Sequence, residues 1–171
     1  AAIARIESAT GELTEFEIKG LIEHEFMAQG ADRLAYPSIV AAGDNATVLH
    51  YERTQGIAKP GDFVLIDAGA EFEGYASDIT RTTAAGGMQK TSAIKKDLYD
   101  LVLAAQKAAI AATQTGTTIE AVHAAAQNVL SQGLFEMGFF KNIPEKKKTE
   151  DEGAMRANPD SVEAVRAGDY L

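Results

Sequence analysis

The stretch Phe63-Val64-Leu65-Ile66-Asp67-Ala68-Gly69-Ala70, Glu71-Phe72-Glu73-Gly74, Tyr75-Ala76-Ser77-Asp78-Ile79-Thr80-Arg81-Thr82-Thr83 decides the fold. Two β-prone apolar runs separated by a Gly-containing connector spell a hairpin. The turn Pro60-Gly61-Asp62 marks where it starts. Both runs are apolar on both faces, which predicts an interior sheet rather than a half-solvated one. With residues 71–74 as a four-residue loop, Ala70 pairs with Tyr75, and Asp67 falls directly opposite Asp78.

N-terminal to the hairpin, Ala1 to Ser8 reads as a helix, broken by Thr10-Gly11. Thr14 and Glu17 have capping-box spacing and open a second helix, whose stripe is Ile18, Leu21, Ile22 and Phe26 and whose stop is Gly30. Ile39-Val40-Ala41 is a short strand, Gly43-Asp44-Asn45 a turn, and Thr47-Val48-Leu49-His50-Tyr51 a second β-prone run. After Gly86-Gly87, the helical period returns in Ile94, Leu98, Leu101, Val102, Ala105 and Ala109. Thr117 and Glu120 form a second capping-box pair, opening a helix that Gly133 and Gly138 close. Residues 145–153 are a charge run, expected as a solvated loop. Helices, then strands, then helices predict an α+β fold.

Composition narrows the function classes. Of 171 residues, 46% are hydrophobic and 24% charged, enough for a packed core and unlike a disordered chain. With 25 acids, 16 bases and a net charge of -9, a phosphate-backbone binder is not expected, so nucleic acid is excluded as a partner. The absence of Cys removes disulfides, thiolate nucleophiles and thiolate metal sites. No apolar run approaches the ~20 residues of a membrane span, and no signal-peptide pattern is visible, so no membrane partner and a cytoplasmic location are expected.

The two carboxylates of the hairpin require an explanation. Directly opposed residues share a face with Cβ atoms about 4.5–5.5 Å apart. Such a pair persists if it shares a proton, is neutralised by a base, or binds a cation. Arg81 lies three residues after Asp78 and so points to the other face of the strand. Alternatively a bulge separates the two acids, and each caps a turn or pairs with a distant base. The residues alone leave both readings open.

A longer set of blocks bears on the choice. Tyr36-Pro37-Ser38-Ile39-Val40-Ala41-Ala42-Gly43-Asp44-Asn45-Ala46-Thr47-Val48-Leu49-His50-Tyr51, Gly61-Asp62, Asp67-Ala68-Gly69-Ala70-Glu71, Tyr75-Ala76-Ser77-Asp78-Ile79-Thr80-Arg81-Thr82 and Leu98-Tyr99 resemble the Xaa-Pro aminopeptidase and prolidase family in order and spacing. These are the pita-bread metallopeptidases, relatives of methionine aminopeptidase and creatinase. The resemblance implies an antiparallel sheet flanked by helices, with residues 1–142 forming the N-terminal portion of the catalytic domain; residues 143–171, beyond the matching blocks, are read as a charged tail. It implies two divalent metal ions, usually manganese, held by five protein ligands. Asp67 takes the position of the carboxylate chelating one metal, and Asp78 that of the carboxylate bridging both. His50 takes the position of a catalytic histidine that is not a ligand. The implied reaction is hydrolysis of an Xaa-Pro bond in a proline-containing peptide or dipeptide, and a homodimer is compatible with the resemblance.

The family's other ligands are a His in a G-x-G-H block, a Glu in an E-P-G block and a final Glu. His24 and His123 lie on helical segments, outside any such block, and no Glu-Pro-Gly occurs. Three explanations stand: part of a longer enzyme, a catalytically inactive peptide-binding or interaction module, or a small hydrolase completed by a partner chain. The first is the expectation, with the pita-bread fold incomplete. Ser38 and Ser77 lack the His and Asp spacing of a Ser nucleophile.

Overall fold

The computed structural model describes residues 2–140, so the charge run at 145–153 and the whole of the expected tail, 143–171, lie outside the described residues. In chain order the elements are α1 (Ala2–Glu7), β1 (Leu13–Thr14), α2 (Glu15–Ala28), β2 (Arg33–Leu34), β3 (Ile39–Ala42), β4 (Ile57–Ala58), β5 (Phe63–Ala68), β6 (Ala70–Phe72), β7 (Tyr75–Ala76), β8 (Ile79–Ala84), α3 (Ala93–Ala112) and α4 (Ile119–Glu136). The α+β order read from the sequence is the order observed. The chain divides into two compact units, Ala1–Lys96 and Asp97–Leu171.

The first unit is organised by an antiparallel sheet in the order β3-β5-β8. Val40, Ala42, Val64, Ile66 and Ala68 project from one face into a core completed by Ile6 of α1 and by Ile18 and Ile22 of α2. Ile39, Ala41 and Leu65 project from the other face and pack with Tyr51 and Ala46. Smaller pairings extend this frame: β2-β6-β7 form a second sheet and β1 pairs with β4. The hairpin is thus one long ribbon whose inner half pairs with β3 and whose outer half pairs with β2.

The capping box at α2 forms as its spacing predicts. Glu17 N–H donates to Thr14 Oγ1 at 3.1 Å, and Thr14 N–H donates to Glu17 Oε2 at 2.8 Å. The Thr14 backbone and hydroxyl donors hold the Glu17 carboxyl below its ordinary range. Its contribution to stability is complete above the unfolded pKa and fades as pH falls through the lowered folded value. Gly30, with φ of 90°, ends the helix in a Schellman motif, in which Ala31 N–H donates to Phe26 C=O at 3.0 Å. Of the expected stripe, Ile18 and Ile22 are buried and Phe26 packs against them, whereas Leu21 is 43% exposed. The buried row has i, i+4, i+8 spacing, which leaves Leu21 on its flank.

Several expectations need correction. Tyr75 to Thr83 is broken at Ser77-Asp78, and the loop is the two-residue turn Glu73-Gly74. Both turn residues have positive φ, 49° and 82°, which matches the twist of a tight hairpin. The sheet is not interior throughout: β5 alternates half-buried and buried residues, and Ile79, Thr80 and Arg81 of β8 are exposed. Apolar character on both faces does not specify what covers them. The β-prone residues 47–51 form no strand. Gly43–Thr47 is a 3-10 turn, His50 has φ of 52°, and Tyr51 turns its ring into the sheet's second face.

In the second unit, α4 is capped by Thr118, whose Oγ1 accepts from Ala121 N–H at 3.2 Å; the cap is therefore one residue later than Thr117. The helix runs through Gly133, where any Cβ would collide with Leu101 of α3, so this glycine permits close helix packing and does not terminate α4. Gly138, with φ of 81°, terminates it.

Replacing the α2 cap, Thr14→Ala, should lower stability by about 1 kcal/mol. Ile18→Ala, at a fully buried position, should cost about 2–5 kcal/mol. Equilibrium urea unfolding of both variants checks that ranking, and an equal or reversed order would contradict the assignment of Ile18 to the core.

Candidate metal centre

The site is built where the long hairpin changes partners. Ala68 pairs with Ile79 on the inner side and Glu71 with Ala76 on the outer side, leaving Gly69 facing Ser77-Asp78 across a local break. Ser77 bridges the break: its N–H donates to Ala70 C=O at 2.9 Å, while its hydroxyl accepts from Ala70 N–H at 3.0 Å. A Cβ at residue 69 would overlap the Ser77 carbonyl oxygen and lie 2.9 Å from Tyr36 Cε1. Only glycine fits there. Gly69 C=O also accepts from Ala35 N–H at 2.9 Å, and this bond places the Tyr36 ring over the break.

Asp67 is not directly opposite Asp78, as the four-residue loop predicted; it pairs with Thr80. The tighter turn moves the register by two residues. Because strand side chains alternate with period two, an even shift keeps both aspartates on the same face. They become a diagonal pair, and a hydroxyl holds them together. Tyr36 Oη lies 2.6 Å from Asp67 Oδ1 and 3.0 Å from Asp78 Oδ1. Burial, followed by the two carboxylate hydrogen bonds, pushes the Tyr36 phenol well above its ordinary pKa.

His50 lines the same place. Tyr36, Pro37, Ile39, His50, Glu52, Asp67 and Asp78 line an open cleft of about 240 Å³. The three residues singled out from sequence therefore meet in one cavity. His24 lies on α2 and His123 on α4, outside the lining of this cleft. Ser38 is buried and Ser77 is committed to the hairpin.

One phenolic proton cannot neutralise two carboxylates. Among the described residues, no Lys or Arg forms an ion pair with Asp67 or Asp78. Arg81, whose strand position already argued against it, donates instead to Thr80 C=O at 2.8 Å. Tyr36 engages only the two Oδ1 atoms, so each aspartate retains an Oδ2 for another partner. Paired oxygen donors facing an open cleft suit a hard divalent cation. They are only part of a coordination sphere, for the described residues contain no cluster of three metal-ligating side chains.

Comparison with solved structures identifies the class as a pita-bread peptidase fold. The chain is similar to aminopeptidase PepP of Pseudomonas aeruginosa, at 38% identity and a TM-score of 0.73, over 82% of this chain and 31% of that one. It is also similar to a single-residue variant of Escherichia coli aminopeptidase P in complex with substrate, at 34% identity and a TM-score of 0.75, with the same coverage of 82% and 31%. Among curated relatives, the Xaa-Pro aminopeptidase of Haemophilus influenzae is 43% identical over 127 residues, 74% of this chain and 29% of that protein. The mitochondrial intermediate cleaving peptidase 55 of Arabidopsis thaliana is 40% identical over 121 residues, 71% of this chain and 24% of that protein. The model of metallopeptidase family M24 matches residues 1–153, and the chain belongs to that family. It spans between about a quarter and a third of the length of these relatives.

Sequence reasoning placed Tyr36 in a motif without assigning it work. A tyrosine directly before a proline, leading into a strand, was the available signal; its proximity to the acids depends on the Ala35–Gly69 hydrogen bond. Ultraviolet difference titration, with Tyr36→Phe identifying the signal, should show Tyr36 ionising above the ordinary range of a phenol. In the double variant Asp67→Asn, Asp78→Asn the transition should move down, yet stay above the ordinary range because burial persists. An unmoved transition would refute the shared hydroxyl.

Proposed function

We propose that the polypeptide carrying this chain is a metal-dependent peptidase that hydrolyses an Xaa-Pro peptide bond, removing an N-terminal residue or cleaving a dipeptide. The observation that supports it is the Asp67–Tyr36–Asp78 constellation in an open cleft beside His50. The names of the relatives, Xaa-Pro aminopeptidases among them, favour release of an N-terminal residue. Asp67 and Asp78 would hold two divalent cations, manganese being a suitable hard ion for carboxylate donors. When bound, such ions supply Lewis-acid polarisation of the scissile carbonyl and lower the pKa of the attacking water.

The remaining work falls to protein groups. Tyr36 fixes the orientation of both carboxylates through their Oδ1 atoms. His50 projects from its loop to the cleft edge, where its imidazole can hydrogen-bond a substrate carbonyl and steady charge developing on that oxygen. Pro37 and Ile39 give the cleft an apolar wall, suited to a proline ring. A second reading, a peptide-binding module without catalysis, draws on the absence of a three-ligand cluster among the described residues. The uncompensated aspartate pair favours the enzyme, because a binding surface has no need of two repelling charges.

In the full polypeptide, metal analysis should find bound divalent ions, and manganese should support cleavage of Xaa-Pro peptides. Asp78→Asn should eliminate metal-dependent turnover while the far-ultraviolet circular dichroism stays unchanged. Full activity in that variant would remove Asp78 from the site. Peptide binding without hydrolysis in the metal-loaded wild type would favour the module.

A further inference from the structure

We propose that Glu15 is the positioning residue for His50, acting through the loop that carries it; the proposal rests on the peptidase reading above. Glu15 opens α2 and has 0% of its surface exposed. Its Oε1 accepts from Ala42 N–H at 2.8 Å and from Asn45 Nδ2 at 2.9 Å, and its Oε2 accepts from Gly56 N–H at 2.7 Å. Its own N–H donates to Gly56 C=O at 3.0 Å. One buried carboxylate therefore ties both ends of the segment 42–56 to the first turn of a helix.

His50 sits inside that closed segment. Asn45 Nδ2 also donates to Tyr51 Oη at 3.0 Å, and Gln55 N–H donates to the same hydroxyl at 3.3 Å. The network thus grips the residue next to His50 as well as the loop's two ends. His50 and Thr54 both hold left-handed backbone, with φ of 52° and 50°. Non-glycine residues keep such conformations only where their surroundings over-determine them. The Glu15 network is that surrounding. Any Cβ at Gly56 would come within 2.5 Å of Glu15 Oε1, so the approach of the loop end leaves no spare space. The clamp also sets the loop against the metal carboxylates: Ala42 closes β3, and Ile39 of the same strand pairs with Asp67.

The carboxylate, and not merely a polar side chain, is required. All three groups bonded to it are donors. In Glu15→Gln the amide oxygen can serve Ala42 and Asn45, but the amide nitrogen then faces Gly56 N–H donor to donor. The end of the loop nearer His50 loses its bond to the side chain and keeps only the backbone bond from Glu15 N–H to Gly56 C=O, while the other end stays fixed. A displacement of a catalytic group by about 1 Å can cost on the order of 100-fold in rate.

The test is a double-mutant cycle in the full polypeptide with manganese and an Xaa-Pro peptide. Glu15→Gln should lower kcat up to about 100-fold with KM and metal content little changed. In a His50→Ala background it should cost nothing further, since both changes remove one function. By NMR, the His50 imidazole signal should shift or broaden in Glu15→Gln while those of His24 and His123 stay in place. Unchanged kcat, or an equal loss in the His50→Ala background, would overturn the proposal. If Glu15→Gln does not fold, Tyr51→Phe, which deletes the hydroxyl shared by Asn45 and Gln55, is put through the same cycle. If the wild-type polypeptide cleaves no Xaa-Pro bond, the peptidase reading fails and the His50 signal decides alone. A moved signal then upholds the clamp, and an unmoved one refutes it.

Discussion

β5 is hydrogen-bonded along both edges, to β3 and to β8, and the strict alternation of its side chains is the constraint on which the site depends. Val64, Ile66 and Ala68 must meet α1 and α2, so Leu65 and Asp67 must face away from them. The register with β8 then brings Asp78 to the same side. A one-residue slip would turn β8 over and send Asp78 toward the helices, while Asp67 stayed at the cleft. Burial of the apolar face against the helices stabilises the correct register, by about 1.5–3 kcal/mol for each large side chain fully removed from water. The hydrophobic core therefore places the polar site.

Three kinds of acidic group in this small frame show how environment assigns a role. Glu71, on the outer sheet, meets Arg33 through two hydrogen bonds of 2.9 and 2.7 Å, which fixes the hairpin tip to β2. Glu15 is fully buried and satisfied by three N–H donors. A buried carboxylate so supplied can stay where it is without a cation. Asp67 and Asp78 share one hydroxyl proton and face open space. Of these three, only the last sets two carboxylates side by side with neither a cation nor a full set of donors, and that separates a candidate metal centre from structural acids.

Much of the frame was legible in local signals. Thr14 and Glu17 announce α2 because a capping box satisfies backbone donors within four residues, and Gly30 announces its end because left-handed backbone suits glycine. The hairpin, the order of elements and the family blocks were equally visible. The details that failed share a cause. Residues 47–51 have β propensity, yet a strand needs an edge to pair with, and the Tyr51 ring is instead drawn onto Ile39 and Ala41. Gly133 looks like a stop until Leu101 of another helix is seen against it.

What the sequence determined alone was the chemistry on offer: two aspartates at hairpin spacing, a histidine before them, and enough ordered motif to define the family. These are properties of residue type and separation along the chain. Tertiary structure decided how that chemistry is arranged. It exchanged a directly opposed pair for a diagonal one, supplied Tyr36 as the proton between them, and delivered His50 on a loop held by a carboxylate 35 residues earlier in the chain. The first outcome follows from the two-residue turn Glu73-Gly74, whereas the other two depend on hydrogen bonds between residues far apart in sequence, which no local pattern encodes.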